Sequence, residues 1–196
     1  PAWVTYGTGR CALAANRDYW DADAGRYVCG FNPERPGDET VLVGRVTGDD
    51  GAIRAILFNF ACHPTTLAWD NRLLSPDFVG AAREILEGIF AAPAIFLQGA
   101  SGDIGPREGF VGDSAVADRN GRQLGYAVAS AVEALPPPAT TFTYQGAVRS
   151  GTAIGTWAHE TLHDAARHDA TRLRAITVPV ELAIKETLPR REAILA

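Results

Sequence analysis

Two short stretches carry residues that can hydrolyse a bond. The first is Asn59-Phe-Ala-Cys-His63-Pro-Thr-Thr66, which closes an apolar run. A neutral imidazole at a rigid strand end suits a zinc ligand, because packing and the partner of its second nitrogen fix the ring direction. The plainer reading of His63 is a half-buried side chain bonded to the backbone. The second stretch is Gln98-Gly-Ala-Ser-Gly-Asp-Ile-Gly-Pro106. Gly99, Gly102 and Gly105 let backbone N–H groups approach a ligand closely, as an oxyanion or phosphate cradle requires. Ser101 and Asp103 add a hydroxyl and a carboxylate to the same loop. Alone, this stretch is equally a tight turn.

A third string, His159-Glu160-Thr161-Leu162-His163, has the spacing of a zinc metalloprotease helix. In such a helix two histidines one turn apart bind the metal and Glu serves as base. Here Asp164, Arg167, His168, Asp169, Arg172 and Arg174 crowd the string, which describes a solvated surface helix. No third ligand follows, so the protease reading ranks below the others and the string reads as incidental.

These residues need elements to hold them. Thr40 to Thr47 reads as a strand, Gly48-Asp-Asp-Gly51 as a hairpin turn, and Ile53 to Ala61 as a nearly continuous apolar strand covered on both faces. Phe78 to Phe90 fits a helix with Asp77 as its cap, since Val79, Ala82, Ile85, Leu86 and Ile89 share one face. Ala94 to Leu97 is a second buried strand running into Gly99. A further helix runs from Ser114 to Leu135, stopped by Pro136-Pro137-Pro138. Gly9 to Asn16 holds a short strand. Thr141–Arg149 and Ala175–Lys185 read as strands, with a polar, helix-prone stretch from Ala158 to Arg174 between them. Strand, helix, strand, helix in succession predicts a mixed α/β fold, its core sheet partly parallel and flanked by helices. The functional stretches then fall at the carboxyl ends of adjacent strands, where α/β sheets gather their sites. Residues 1–138 read as the main part of a catalytic domain and 139–196 as its incomplete continuation.

Composition sets the outer bounds. The 196 residues are 46% hydrophobic and 21% charged, an ordinary globular mix. The net charge of −5, without any basic cluster, argues against nucleic acid as a partner, since phosphate binding needs a concentrated Lys/Arg face. No apolar run is long enough for a transmembrane segment. A soluble protein is expected, with no compartment implied. Cys11, Cys29 and Cys62 are odd in number and form no C-x-x-C pair, so they read as buried free thiols. Methionine is absent even from position 1, and Leu188 to Ala196 reads as a helix cut short. The expectation is a piece of a longer protein, truncated at both ends.

Taken together and in this order, Asn59–Glu84 (NFACHPTTLAWDNRLLSPDFVGAARE) and Phe96–Pro106 (FLQGASGDIGP) resemble the neutral/alkaline ceramidase N-terminal domain family. Gly9-Arg10, Asn16-Arg17 and Asn32-Pro33 resemble it too. The resemblance covers roughly Gly9 to Pro106. It implies an α/β catalytic domain that carries one zinc ion and hydrolyses the amide bond of an N-acylated lipid, so the implied partner is a lipid-like or other small-molecule amide. By that resemblance His63 is one of two zinc histidines. The other would lie in a His-x-His-Ser-Gly-Pro stretch before or across Pro1, with a Glu and a Tyr ligand beyond Ala196. Arg17 matches the family's substrate-contacting arginine loosely, because Asp18 stands where Ser is expected. The family's nucleophilic serine lies in a Gly-Asp-Val-Ser-Pro turn, whereas this chain reads Gly102-Asp-Ile-Gly105-Pro106. Either Ser101 substitutes from across the turn, or zinc-bound hydroxide attacks directly, or the activity differs. The last case includes a non-catalytic module that keeps only the pocket.

Overall fold

The computed structural model describes residues 2–171 and 175–181. Along the chain run β1 (Ala2–Arg10), β2 (Ala14–Asn16), β3 (Asp18–Asp21), β4 (Arg26–Cys29), β5 (Thr40–Gly48), β6 (Ile53–Phe60), α1 (Phe78–Phe90), β7 (Ala94–Gln98), β8 (Ile104–Pro106), α2 (Ser114–Glu133), β9 (Thr140–Ser150), β10 (Thr152–Thr161) and α3 (Asp164–Ala170). Two compact units divide it, Pro1–Thr161 and Leu162–Ala196.

The larger unit is built on a four-stranded sheet in the order β1-β5-β6-β7. The first two pairings are antiparallel and β6 pairs β7 in parallel, so the sheet is mixed and partly parallel, as the strand–helix–strand pattern predicts. The β5–β6 turn closes with the Gly51 N–H donating to the Gly48 carbonyl at 3.0 Å, and Gly51 sits at φ +79°. Alternation sends Val41, Val43, Ile56, Phe58 and Phe60 to one face, where they meet Phe78, Ala82 and Leu86 of α1 and Leu124, Val128 and Val132 of α2. That layer is the core. The opposite face leaves Tyr6, Leu42, Ile95 and Leu97 exposed, so among the described residues β6 is covered on one side rather than the two its apolar run implies.

Other departures have local causes. The Gly9–Asn16 stretch is split between the end of β1 and β2, which pairs β8. The expected helix from Ala158 begins as a strand, because Thr152–Thr161 pairs antiparallel with β9 across a tight turn at Gly151 (φ +74°). Helix follows only at Asp164–Ala170. In the second unit Ala175–Glu181 forms no strand, and residues 182–185 of that expected strand lie outside the described residues. Cys11 and Cys62 are buried free thiols, and burial pushes both above the ordinary thiol range. Cys29 is exposed at the end of the β3–β4 hairpin, unlike the buried thiol expected there. No helix among the described residues is long and apolar enough to cross a membrane.

Candidate functional site

Parallel pairing of β6 with β7 sets Phe60 beside Gln98, so the segments leaving the two strands start as neighbours. The Gly99 N–H donates to the Phe60 carbonyl at 3.0 Å. A Cβ at Gly99 would lie 2.9 Å from the Ala61 backbone, so only glycine lets the two exits run this close. That N–H is therefore committed within the protein and is not free to hold an oxyanion.

His63 is tied to the neighbouring loop twice. Its backbone N–H donates to the Ile104 carbonyl at 3.1 Å. Its Nδ1 lies 2.7 Å from the Ser101 carbonyl oxygen. A carbonyl can only accept, so Nδ1 is the donor, and in the neutral ring the lone pair is on Nε2. Metal-bound imidazoles commonly have their second ring nitrogen fixed in the same way.

Gln98 and Asn16 hold the loop from opposite sides, and sequence reasoning gave neither a role of its own. The Gln98 Nε2 donates to Ser101 Oγ at 2.7 Å and to the Cys62 carbonyl at 3.1 Å, bridging both strand exits. Ser101 is 6% exposed with its hydroxyl in that bond, a poor position for a nucleophile. The buried Asn16 donates from Nδ2 to Asp103 Oδ2 at 3.1 Å. Arg17 follows directly: its backbone N–H donates to the Asp103 carbonyl at 2.9 Å and its Nη2 to the Gly102 carbonyl at 2.8 Å. Gly102 is thus the exposed apex of the loop with a guanidinium against it. Gly105 pairs with Ala15 in the β2–β8 ladder. The structure accordingly brings His63, Ser101, Gly102, Asp103 and Arg17 into one hydrogen-bonded cluster, with Gly105 beside Arg17.

The strap after His63 is anchored by residues with no motif signal. Asp77 Oδ2 accepts from the Leu67 N–H at 2.8 Å while Oδ1 accepts from the Phe78 N–H at 2.7 Å, pinning the strap to the start of α1. Asp77 holds φ +56° to do so, a left-handed conformation costing on the order of 1–3 kcal/mol in a non-glycine residue. The buried Thr66 hydroxyl accepts from Asn120 Nδ2 of α2 at 3.1 Å.

The H-E-x-x-H string does not form its helix. His159 and Glu160 are consecutive residues of β10, and His163 caps α3. Each has a local partner: the His159 ring lies against the Phe142 ring, Glu160 accepts from Gln145, and His163 Nδ1 accepts from the Ala166 N–H. Replacing His159 and His163 together by alanine is expected to leave the metal content of the intact protein unchanged. Elemental analysis that found a metal equivalent lost would reverse this.

Among the described residues no three His, Cys, Asp or Glu side chains converge as a metal site. His63 offers one donor and cannot close a tetrahedral shell by itself.

No protein-family model and no curated protein matches the chain. Solved structures do match its fold. The crystal structure of neutral ceramidase from Pseudomonas aeruginosa superposes with a TM-score of 0.54 at 17% identity, over 74% of this chain and 25% of that one. The region has a ceramidase-like fold. A ceramidase complexed with C2 matches with a TM-score of 0.56 at 18% identity, over 76% of this chain and 26% of the other. This chain therefore spans about a quarter of the length of those proteins. At such identities the likeness speaks for fold, and activity has to be argued from the residues.

Proposed function

We propose that the protein is a zinc-dependent hydrolase of a linear amide bond, ceramidase-like, acting on an N-acyl lipid or a related small amide. The observation that carries the reading is the His63 Nδ1–H bond to the Ser101 carbonyl, which leaves Nε2 free for a metal at a strand exit. The ceramidase-like fold of the region supports it. In this reading the remaining ligands lie outside the described residues. When bound, zinc supplies Lewis acidity and a water that deprotonates near neutral pH, about pKa 7.

The chain's own residues bind and orient. Arg17, held over the loop apex through the Gly102 carbonyl, offers its cation to the charge that develops on the amide oxygen. Asp103, bonded by Asn16, fixes the loop that carries that carbonyl. Ser101 positions His63 through its backbone and is not the nucleophile. Without a serine at position 105 no acyl-enzyme forms, so an activated N-acyl substrate should be hydrolysed with no burst phase. Ser101→Ala should keep turnover within about tenfold, roughly 1.4 kcal/mol of barrier.

The deciding experiment is hydrolysis of N-acyl amides by the full-length protein, before and after chelation and after zinc is restored. Loss and recovery of turnover with zinc support the proposal, whereas a burst abolished by Ser101→Ala would make Ser101 the nucleophile. Zinc bound without turnover of any amide would favour the second reading that glycine at position 105 invites, a ceramidase-like binding module.

A further inference from the structure

An open cavity of about 250 Å³ lies where α2 meets the loop after β8 and the turn before β2. Ala12 and Leu13 give it an apolar wall, while Arg107, Asn120 and Gln123 line it beside the Glu108–Arg119 ion pair. At about 30 Å³ for each molecule of liquid water, that is room for a ligand of roughly six to eight heavy atoms.

Asn120 is 5% exposed, and the two ends of its amide meet different surroundings. Nδ2 donates to Thr66 Oγ1 at 3.1 Å and to the Glu108 carbonyl at 3.2 Å. A carbonyl only accepts, so the nitrogen must face Glu108 and the amide cannot be turned round. Oδ1 accepts no hydrogen bond among the described residues. Nor is it sealed away, because the sealed side-chain atoms without partners among those residues are the Thr47 and Thr65 hydroxyls. Oδ1 therefore opens on the cavity that Asn120 lines. A largely buried amide oxygen in this position calls for a donor.

Arg107 has the opposite need. Its N–H donates to the Leu13 carbonyl at 3.0 Å, and its guanidinium lies over the Phe31 ring, 5.4 Å from the centroid. The head is held in place, yet among the described residues it has neither a carboxylate nor another hydrogen-bond acceptor. Arg119, by contrast, is neutralised by Glu108, so the cavity carries one uncompensated positive charge. A carboxylate suits a planar guanidinium, which offers it two parallel N–H donors. Arg107 also borders a second cavity of about 370 Å³, where Glu34 and Glu39 stand beside Arg35. Those carboxylates repel an anion, which favours the Asn120 side.

We propose that the cavity between Arg107 and Asn120 binds a small hydroxy acid, its carboxylate on the Arg107 guanidinium and its hydroxyl donating to Asn120 Oδ1. A neutral hydroxyl fits better than an ammonium, since the cavity already has a positive excess. Ala12 and Leu13 take the short carbon chain. The same Asn120 amide holds Thr66 of the strap and the Glu108 carbonyl, so the bound acid braces the strap after His63 against the loop after β8. The site stands whether or not the protein is a hydrolase.

The test is calorimetric titration of the full-length protein with lactate, propionate and lactamide. Propionate lacks the hydroxyl and lactamide lacks the charge. Lactate should bind at least about threefold more tightly than propionate, the worth of one neutral hydrogen bond, and at least about tenfold more tightly than lactamide, the worth of a charge-assisted pair. Arg107→Gln should erase the preference over lactamide and leave the fold intact, because the side chain is exposed. Asn120→Ala should erase the preference over propionate. That variant also gives up the bonds to Thr66 and Glu108, so the rise in Tm with lactate in the parent, reduced in Arg107→Gln, is the independent readout. Absence of lactate binding would overturn the site, as would equal affinity for lactate and propionate in the parent. Lactate affinity unchanged by Arg107→Gln would place the acid elsewhere on the protein and overturn it too.

Discussion

Gly121→Ala is expected to destabilise the protein by about 2 kcal/mol, while the same change at Gly88 stabilises it. Both glycines lie within helices, where alanine is intrinsically better by about 0.8–1 kcal/mol. At Gly88 a Cβ meets nothing within 4 Å, so that gain is kept. At Gly121 it would stand 2.3 Å from the Phe78 carbonyl oxygen, 2.6 Å from Ala81 Cβ and 3.0 Å from the Ala82 nitrogen. Two of those three atoms are backbone, so no rotamer change relieves the contact and α2 must move off α1. Overpacking of this kind costs about 1–3 kcal/mol, and a backbone clash belongs at the upper end, which leaves about 2 kcal/mol after the helix gain. For a unit of this size the Tm should fall by roughly 4–8 °C. Gly125, one turn on, faces Ile85 Cβ at 2.9 Å, so the two glycines form one contact strip that draws the helices together. Thermal unfolding of the two alanine variants is the measurement. A Gly121→Ala protein as stable as the parent would show that α1 and α2 do not pack this closely.

That strip adjoins the anchors of the strap, since Gly121 follows Asn120, which bonds Thr66, and faces Phe78, which follows Asp77. The Phe78–Phe90 helix is readable to its bounds because its apolar positions fall at helical spacing and Asp77 precedes it. β5 is readable from its alternating and apolar residues, and β6 and β7 from apolar runs, β6 opening after the Gly48–Gly51 turn. The placement of His63 near the glycine loop is also readable, since consecutive strand–helix–strand elements put both exits on one sheet edge. β10 is not. Its Thr152-Ala-Ile-Gly-Thr-Trp-Ala-His-Glu-Thr has a mixed pattern, and the H-E-x-x-H spacing imitates a helix; only pairing with β9 makes it a strand. The residues that hold the site are hidden for a related reason. Gln98, Asn16 and Asp77 act through bonds spanning 3, 87 and 10 positions, and no residue type announces a tertiary partner. The three loop glycines look alike in sequence but differ in space: Gly99 is a close approach, Gly102 an exposed apex, and Gly105 a buried strand position where a Cβ would make ordinary contacts with Arg17 and Thr65.

His63→Ala should remove zinc and amide turnover together while barely changing the fold. The Ser101 carbonyl that holds the ring also accepts from the Ile104 N–H at 3.0 Å, so it stays bonded when the imidazole is gone. The ring is only half-buried, so its removal leaves no large sealed cavity. Stability should therefore change by no more than about 1 kcal/mol, the net worth of one hydrogen bond. The effect on the metal should be far larger. Even groups that merely orient a ligand cost about 10–100-fold in metal affinity or activity when lost, and removing the ligand itself should exceed that. Turnover should fall by at least about 10³-fold. Zinc measured on the purified full-length variant should drop to background. Ser101→Ala is the internal comparison, because it keeps the carbonyl that fixes His63 Nδ1 and should keep the metal. A His63→Ala protein that folds like the parent and still carries one zinc would exclude His63 as a ligand, and with it the mechanism proposed for this site.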